Sequence, residues 1–115
     1  MKKMYIAVLD EVSDYMVPTL VAHTILNAHT YFLGFHPESS EFEVYCDWWE
    51  NSYRKVVLKV NRKEYEKIKQ TGHYWEGHEN TTLGGTPSCI IPLPVESDAV
   101  PNVLKFTKMW KPNCE

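Results

Sequence analysis

Residues 4–9, MYIAVL, form an unbroken apolar run rich in β-formers. A strand without polar alternation has no face to give to water, so it belongs inside a sheet. A polar connection, residues 10–14, leads to a helical stripe: Val17, Leu20, Val21, Thr24, Ile25, Ala28, Tyr31 and Phe32. That spacing buries one side of a helix. Ser13 or Asp14 is the expected cap, Pro18 falls in the first turn, and Gly34 marks the end. A buried strand followed by an amphipathic helix confines the chain to the α/β class.

The remaining elements extend the pattern. Residues 39–51 carry two signals. Phe42, Val44, Cys46 and Trp48 alternate as in a strand, whereas Ser40 with Glu43 forms a capping box. Helix is the favoured reading. Residues 53–60 read as a strand, and Asn61 with Glu64 caps a helix over 62–70. Thr71-Gly72 stops it. His73-Tyr74-Trp75 reads as a short strand and residues 88–93 as an apolar one. A last helix begins at Ser97 or Asp98, with Val100, Val103, Leu104, Thr107 and Trp110 on one side. The order β-α-α-β-α-β-β-α predicts one α/β domain over 1–115, with a mixed sheet and helices on both faces.

Charge is distributed unevenly. The net charge is -3, which argues against a strongly nucleic-acid-binding chain. Yet Arg54, Lys55, Lys59, Arg62, Lys63, Lys67 and Lys69 are seven of the 12 basic residues. Residues 36–50 hold five carboxylates and no Lys or Arg. These runs are either two solvated faces or, for the basic one, a surface for a phosphate backbone. No run of 18 apolar residues exists to span a membrane, and MKKMYIAVLDEV reads as a first strand rather than a signal peptide. Cys46, Cys89 and Cys114 are odd in number and far apart, so a reducing cytoplasm is the expected compartment.

The stretch EGHENTTLGGTPS, residues 76–88, has few bulky apolar side chains and reads as a loop feeding the strand after it. His73, His78 and Glu79 do not have the spacing that puts two metal ligands on one helix face, and surface imidazoles are the simpler reading. Neither a metal nor another cofactor is called for. His23, at the edge of the helical stripe, is either a packed imidazole or an acid/base group. Gly84-Gly85 suits a tight turn, and no lysine or helix follows to make it a P-loop.

In order along the chain, these motifs resemble type 2 peptidyl-tRNA hydrolases. That family reads Asp, small, Gly, any, Thr, any, apolar and two variable positions, then Gly-Thr-x-Thr before an apolar strand. Here Glu76-Gly77 stands at the Asp-small pair, His78 at the Gly and Asn80 at the first Thr. Gly85, Thr86 and Ser88 match the closing motif. Upstream, Trp49-Glu50 followed by RKVVLKV, and VAHT with His23, resemble the family's Trp-Glu, strand and Ala-His-Ala segments. The likeness covers nearly the whole chain.

It implies a three-layer α/β sandwich with a four-stranded mixed sheet, and a helix over 39–51. It also implies hydrolysis of the ester between a peptide and the tRNA 3′ ribose. Glu76 would orient or activate water, Asn80 and Thr86 would donate to the ester oxygen, and His23 would support from the helix. Arg54, Lys55, Arg62, Lys63 and Lys67 would meet the tRNA backbone; a homodimer is a further expected assembly. Five departures cut against catalysis. Leu9, Asp10 and Glu11 replace a basic residue, Tyr15-Met16 replaces Gly-Lys, Leu20 replaces Gln, Glu76 replaces Asp and Asn80 replaces the first Thr. Asp10 repels phosphate. The alternative is a binding or regulatory module on the same fold.

Overall fold

The computed structural model describes residues 1–79 and 84–112. Its centre is β1 (Lys2–Leu9), whose apolar run is buried from Met4 to Leu9. Helix α1 (Val17–Leu33) follows a short 3-10 turn over Asp14–Met16. Helix α2 (Ser40–Asp47) runs into a π-helical turn, Trp48–Ser52, then β2 (Arg54–Val60) and α3 (Arg62–Ile68). β3 (Tyr74–Glu79), β4 (Thr86–Pro92), the two-residue β5 (Val95–Glu96) and one-turn α4 (Asn102–Lys105) complete the chain. The sheet order is β2-β1-β4-β3, with β1 parallel to β2 and antiparallel to β4. β5 extends the sheet beside the start of β1, where Lys2 pairs with Glu96.

Alternation along β1 separates the two outer layers. Lys2 reaches Asp47 of α2 on one face; Tyr5 shares a groove with Leu104 of α4 on the other. The expected α/β sandwich with a mixed sheet and helices on both faces is therefore the observed fold. Its core joins Met4, Ile6 and Val8 to Phe32, Tyr45 and Trp48, and places Tyr65 and Ile68 against the opposite face. The Asn61–Glu64 capping box is complete, with both reciprocal bonds at 2.8 Å.

Several local expectations change. The α2 cap is Ser39, whose Oγ accepts from Phe42 N–H at 3.2 Å, one residue before the expected Ser40. Neither Ser13 nor Asp14 caps α1; the 3-10 turn takes over that role and makes Met16 the N-cap. Gly34 ends α1 with right-handed dihedrals. The strand expected over 73–75 extends to Glu79, because β4 supplies a ladder as far as Glu79↔Thr86, with a register shift at Gly77/His78. Tertiary pairing overrides the polar composition there. The last helix is one turn only. Beyond it, Trp110 N–H donates to Val57 O at 2.8 Å and Lys59 N–H to Lys108 O at 3.0 Å. The segment thus seals the outer edge of β2 rather than continuing as a helix.

One close approach sets the distance between α1 and the sheet. A Cβ at Gly77 would sit 2.0 Å from Thr24 Oγ1. Thr24 is fully buried, and its hydroxyl donates to Leu20 O at 2.7 Å. Gly77→Ala should therefore cost about 1–3 kcal/mol as an overpacking change. Adding Thr24→Ala should return part of that loss in denaturant melts, since the two sites touch. A Gly77→Ala variant as stable as the parent would show that α1 does not lie this close.

Candidate functional site

β3 ends the sheet and offers its two faces to different helices. Trp75 and Gly77 point to α1: the Trp75 ring lies 5.1 Å from that of Tyr31, and Gly77 abuts Thr24. Period two sends Glu76 the other way, towards α3. There the Tyr65 hydroxyl donates to Glu76 Oε2 at 2.8 Å, and Lys69 Nζ lies 3.5 Å from the same oxygen. The Glu76 side chain is 18% exposed, so the carboxylate is held but still reaches water. Burial, then the Glu76 carboxylate, pushes the Tyr65 hydroxyl far above its usual range and keeps it a donor. Burial works against the Lys69 ammonium, yet Glu76 and Glu66 outweigh it and raise its pKa.

Beside this strand is a cleft of about 260 Å³, lined by His23, Asn27, Trp75, Glu76, Gly77 and His78. Two of the expected site residues, Glu76 and His23, therefore share one cavity wall. His23 is exposed on α1 rather than packed at its edge. Thr86 opens β4, half-buried and paired with Glu79 in the ladder. Asn80 lies outside the described residues. Gly84 and Gly85 both take positive φ, 60° and 81°, as a tight glycine turn requires.

His78 has a fixed orientation that residue spacing alone does not reveal. Its Nδ1 lies 2.8 Å from Gly85 O, and a carbonyl can only accept, so Nδ1 carries the hydrogen. A neutral His78 then has its lone pair on Nε2, available as a base or acceptor. Asn27 and Tyr65 carry no motif in the sequence, and Lys69 stands out there only as part of the basic run. They lie on helices at ordinary spacings, and only the fold brings them to β3.

The five expected cationic residues do not form one surface. Arg54 and Lys55 start β2, whereas Arg62, Lys63 and Lys67 lie on α3 beyond its end, about 20 Å away at the usual rise per residue. Lys55 Nζ sits 3.3 Å from the Tyr53 ring centroid and donates to Tyr53 O. Arg62 is forked onto Glu11 at 3.0 and 3.1 Å. Lys63 and Lys67 are exposed.

The thiols are poorly suited to attack. Cys89 is buried, and burial raises its pKa to about 12 although Thr24 opposes this. Cys46 is raised by burial and then by Glu50. His73 faces Glu41 at 3.5 Å while His78 turns to Gly85. Among the described residues no three His, Cys, Asp or Glu side chains are grouped to hold a metal ion. Nor is any described helix long and apolar enough to cross a membrane.

Tyr65→Phe should destabilise the protein by about 1.5–3 kcal/mol, the usual worth of a hydrogen bond to a charged group. Lys69 supplies a pH signature. Its folded pKa is raised above the ordinary 10.5, so its contribution is complete below that value and lost as the pH rises through the folded one. Lys69→Met should lower the melting temperature at pH 8 and converge on the parent at strongly alkaline pH. An unchanged gap across that range would contradict the pairing. Comparison with known proteins finds no matching family model and no matching curated protein.

Proposed function

We propose that this protein is a divergent peptidyl-tRNA hydrolase-like esterase that cleaves the ester between a peptide and the tRNA 3′ ribose. The observation that carries the reading is the partly exposed Glu76 carboxylate, steadied by Tyr65 and Lys69, on an edge strand whose residues line a cleft with His23. The resemblance in the sequence names the substrate, since Glu76 stands where the related family keeps its carboxylate.

In this mechanism water is bound by Glu76, which takes its proton as the oxygen attacks the ester carbonyl carbon. The carbonyl oxygen gains negative charge and is met by hydrogen-bond donors, Asn27 in the cleft wall and Asn80 of the expected set. The tetrahedral intermediate collapses and the C–O bond to the ribose breaks. The leaving 3′ oxygen takes a proton from Glu76 or from a protonated histidine of the cleft. Products are a peptide carboxylic acid and tRNA with a free hydroxyl. Lys63 and Lys67 face the tRNA backbone.

The second reading, a binding module without turnover, is favoured by one observation. Glu11 holds Arg62 in a forked ion pair at the end of β1, where the related family carries a cation. Glu11 neutralises the Arg62 guanidinium there and leaves it little attraction for phosphate.

Turnover of a peptidyl-tRNA by purified protein separates the two. Glu76→Gln keeps the shape and removes the base, and should lower kcat by about 10²–10⁴. Retained folding with unchanged turnover in that variant would remove Glu76 from the mechanism. Salt-sensitive binding with no turnover in the parent would establish the module.

A further inference from the structure

The C-terminal segment brings a cation and an aromatic ring to α3 from far along the chain. A groove of about 330 Å³ between α3 and α4 is lined by Glu64, Lys67, Asn102, Val103, Phe106 and Thr107. Lys63 precedes Lys67 by one helical turn and shares its side of α3. Lys105 is exposed beside the groove, its Nζ 5.5 Å from the Phe106 ring centroid. Phe106 itself is 76% exposed, the most exposed large apolar side chain on the described surface.

Cations outnumber carboxylates around the ring. The groove lining itself holds Lys67 and Glu64, with Lys63 one turn away on α3 and Lys105 against Phe106, and Glu64 Oε1 accepts from Asn61 N–H at 2.8 Å. Glu66, on the same helix, reaches Lys69 at 3.4 Å. Lys105 over the Phe106 ring is a favourable cation–π contact that leaves both groups open to solvent. It suits a ligand that alternates flat apolar faces with negative charges. Single-stranded nucleic acid has that chemistry: a base stacks on an aromatic ring while phosphates meet lysines. A duplex buries its base faces and does not.

We infer that the α3–α4 groove binds single-stranded RNA, with one base stacked on Phe106 and the flanking phosphates on Lys67 and Lys105. The choice of RNA rests on the tRNA-substrate reading. Position supports it, since α3 also carries Tyr65 and leads into Lys69, the two residues that hold Glu76. A strand lying in the groove is thus about one helix diameter, roughly 10 Å, from the carboxylate. An acceptor end that is unpaired at its 3′ terminus could occupy both.

The test is fluorescence anisotropy with a labelled 12-nucleotide single-stranded RNA, using the full chain in its Glu76→Gln form so that turnover plays no part. Phe106→Ala should weaken binding about tenfold, the order expected for one lost stacked base. Lys67→Glu with Lys105→Glu should flatten the salt dependence by about 0.7 per lost phosphate contact. Leu26→Ala, on α1 across the sheet, should leave affinity nearly unchanged. All four of these side chains are exposed, so their replacement spares the core. Equal affinity in the parent and Phe106→Ala would overturn the inference. So would equal binding of duplex RNA, or binding to anionic phospholipid vesicles but not to RNA. Binding as expected but no hydrolysis by the parent protein would keep the groove and reject the esterase.

Discussion

The contact between Gly77 and Thr24 is the constraint on which the rest of the site depends. With no room for a methyl group between them, α1 lies directly on the backbone of β3. That approach sets His23 and Asn27, which flank Thr24 on the helix and share one of its faces, beside the edge strand. It also frees the next position on the strand. Period two turns Glu76 from α1 to α3, so a single strand serves two layers. One face packs against α1 and the other carries the Glu76 charge.

Charge on a buried or half-buried strand is tolerated only with partners. Glu76 has two, and both come from the segment just before β3, so the helix and strand that pack together also neutralise each other. The same economy is seen at the other end of the molecule. Lys2 bridges Asp47 and Glu96, tying α2 to β5 across the start of β1. Hydrogen bonding from Lys2, with help from Asn51, holds Asp47 below the ordinary carboxylate value. That contribution is present above the unfolded pKa and lost as the pH falls through the folded one.

Much of the fold is legible in the sequence. The apolar run of β1, the stripe of α1 and the Asn61–Glu64 box are strong local signals, and each marks the element that forms. What the sequence hides has a common cause. Glu76, Gly77 and His78 look like a loop because their strand pairing is decided by β4, which comes later in the chain. The last helix has a good apolar stripe, but the backbone groups of Lys108 and Trp110 find better partners on β2. Tyr53 takes a positive φ of 64°, which a tyrosine in the sequence does not signal, and is held there by its N–H to Trp48 O bond of 2.7 Å. Of the candidate site, motif position singles out Glu76 and His23, and the fold brings them to one cleft. It does not single out His78, Tyr65 or Lys69, because their roles arise from contacts across elements. The basic run of 54–69 looked continuous, yet β2 pulls its two halves apart while α4 brings Lys105 in from the C-terminal segment.

The central claim is that a carboxylate clamped to α3 activates water against an acyl carbon. Hydrolysis of peptidyl-tRNA in ¹⁸O-labelled water tests it most directly, with the released peptide and tRNA weighed by mass spectrometry. The account predicts one labelled oxygen in the peptide carboxylate, none in the tRNA, and a signal that depends on Glu76. Label in the tRNA, or release that proceeds equally without the Glu76 carboxylate, would contradict it.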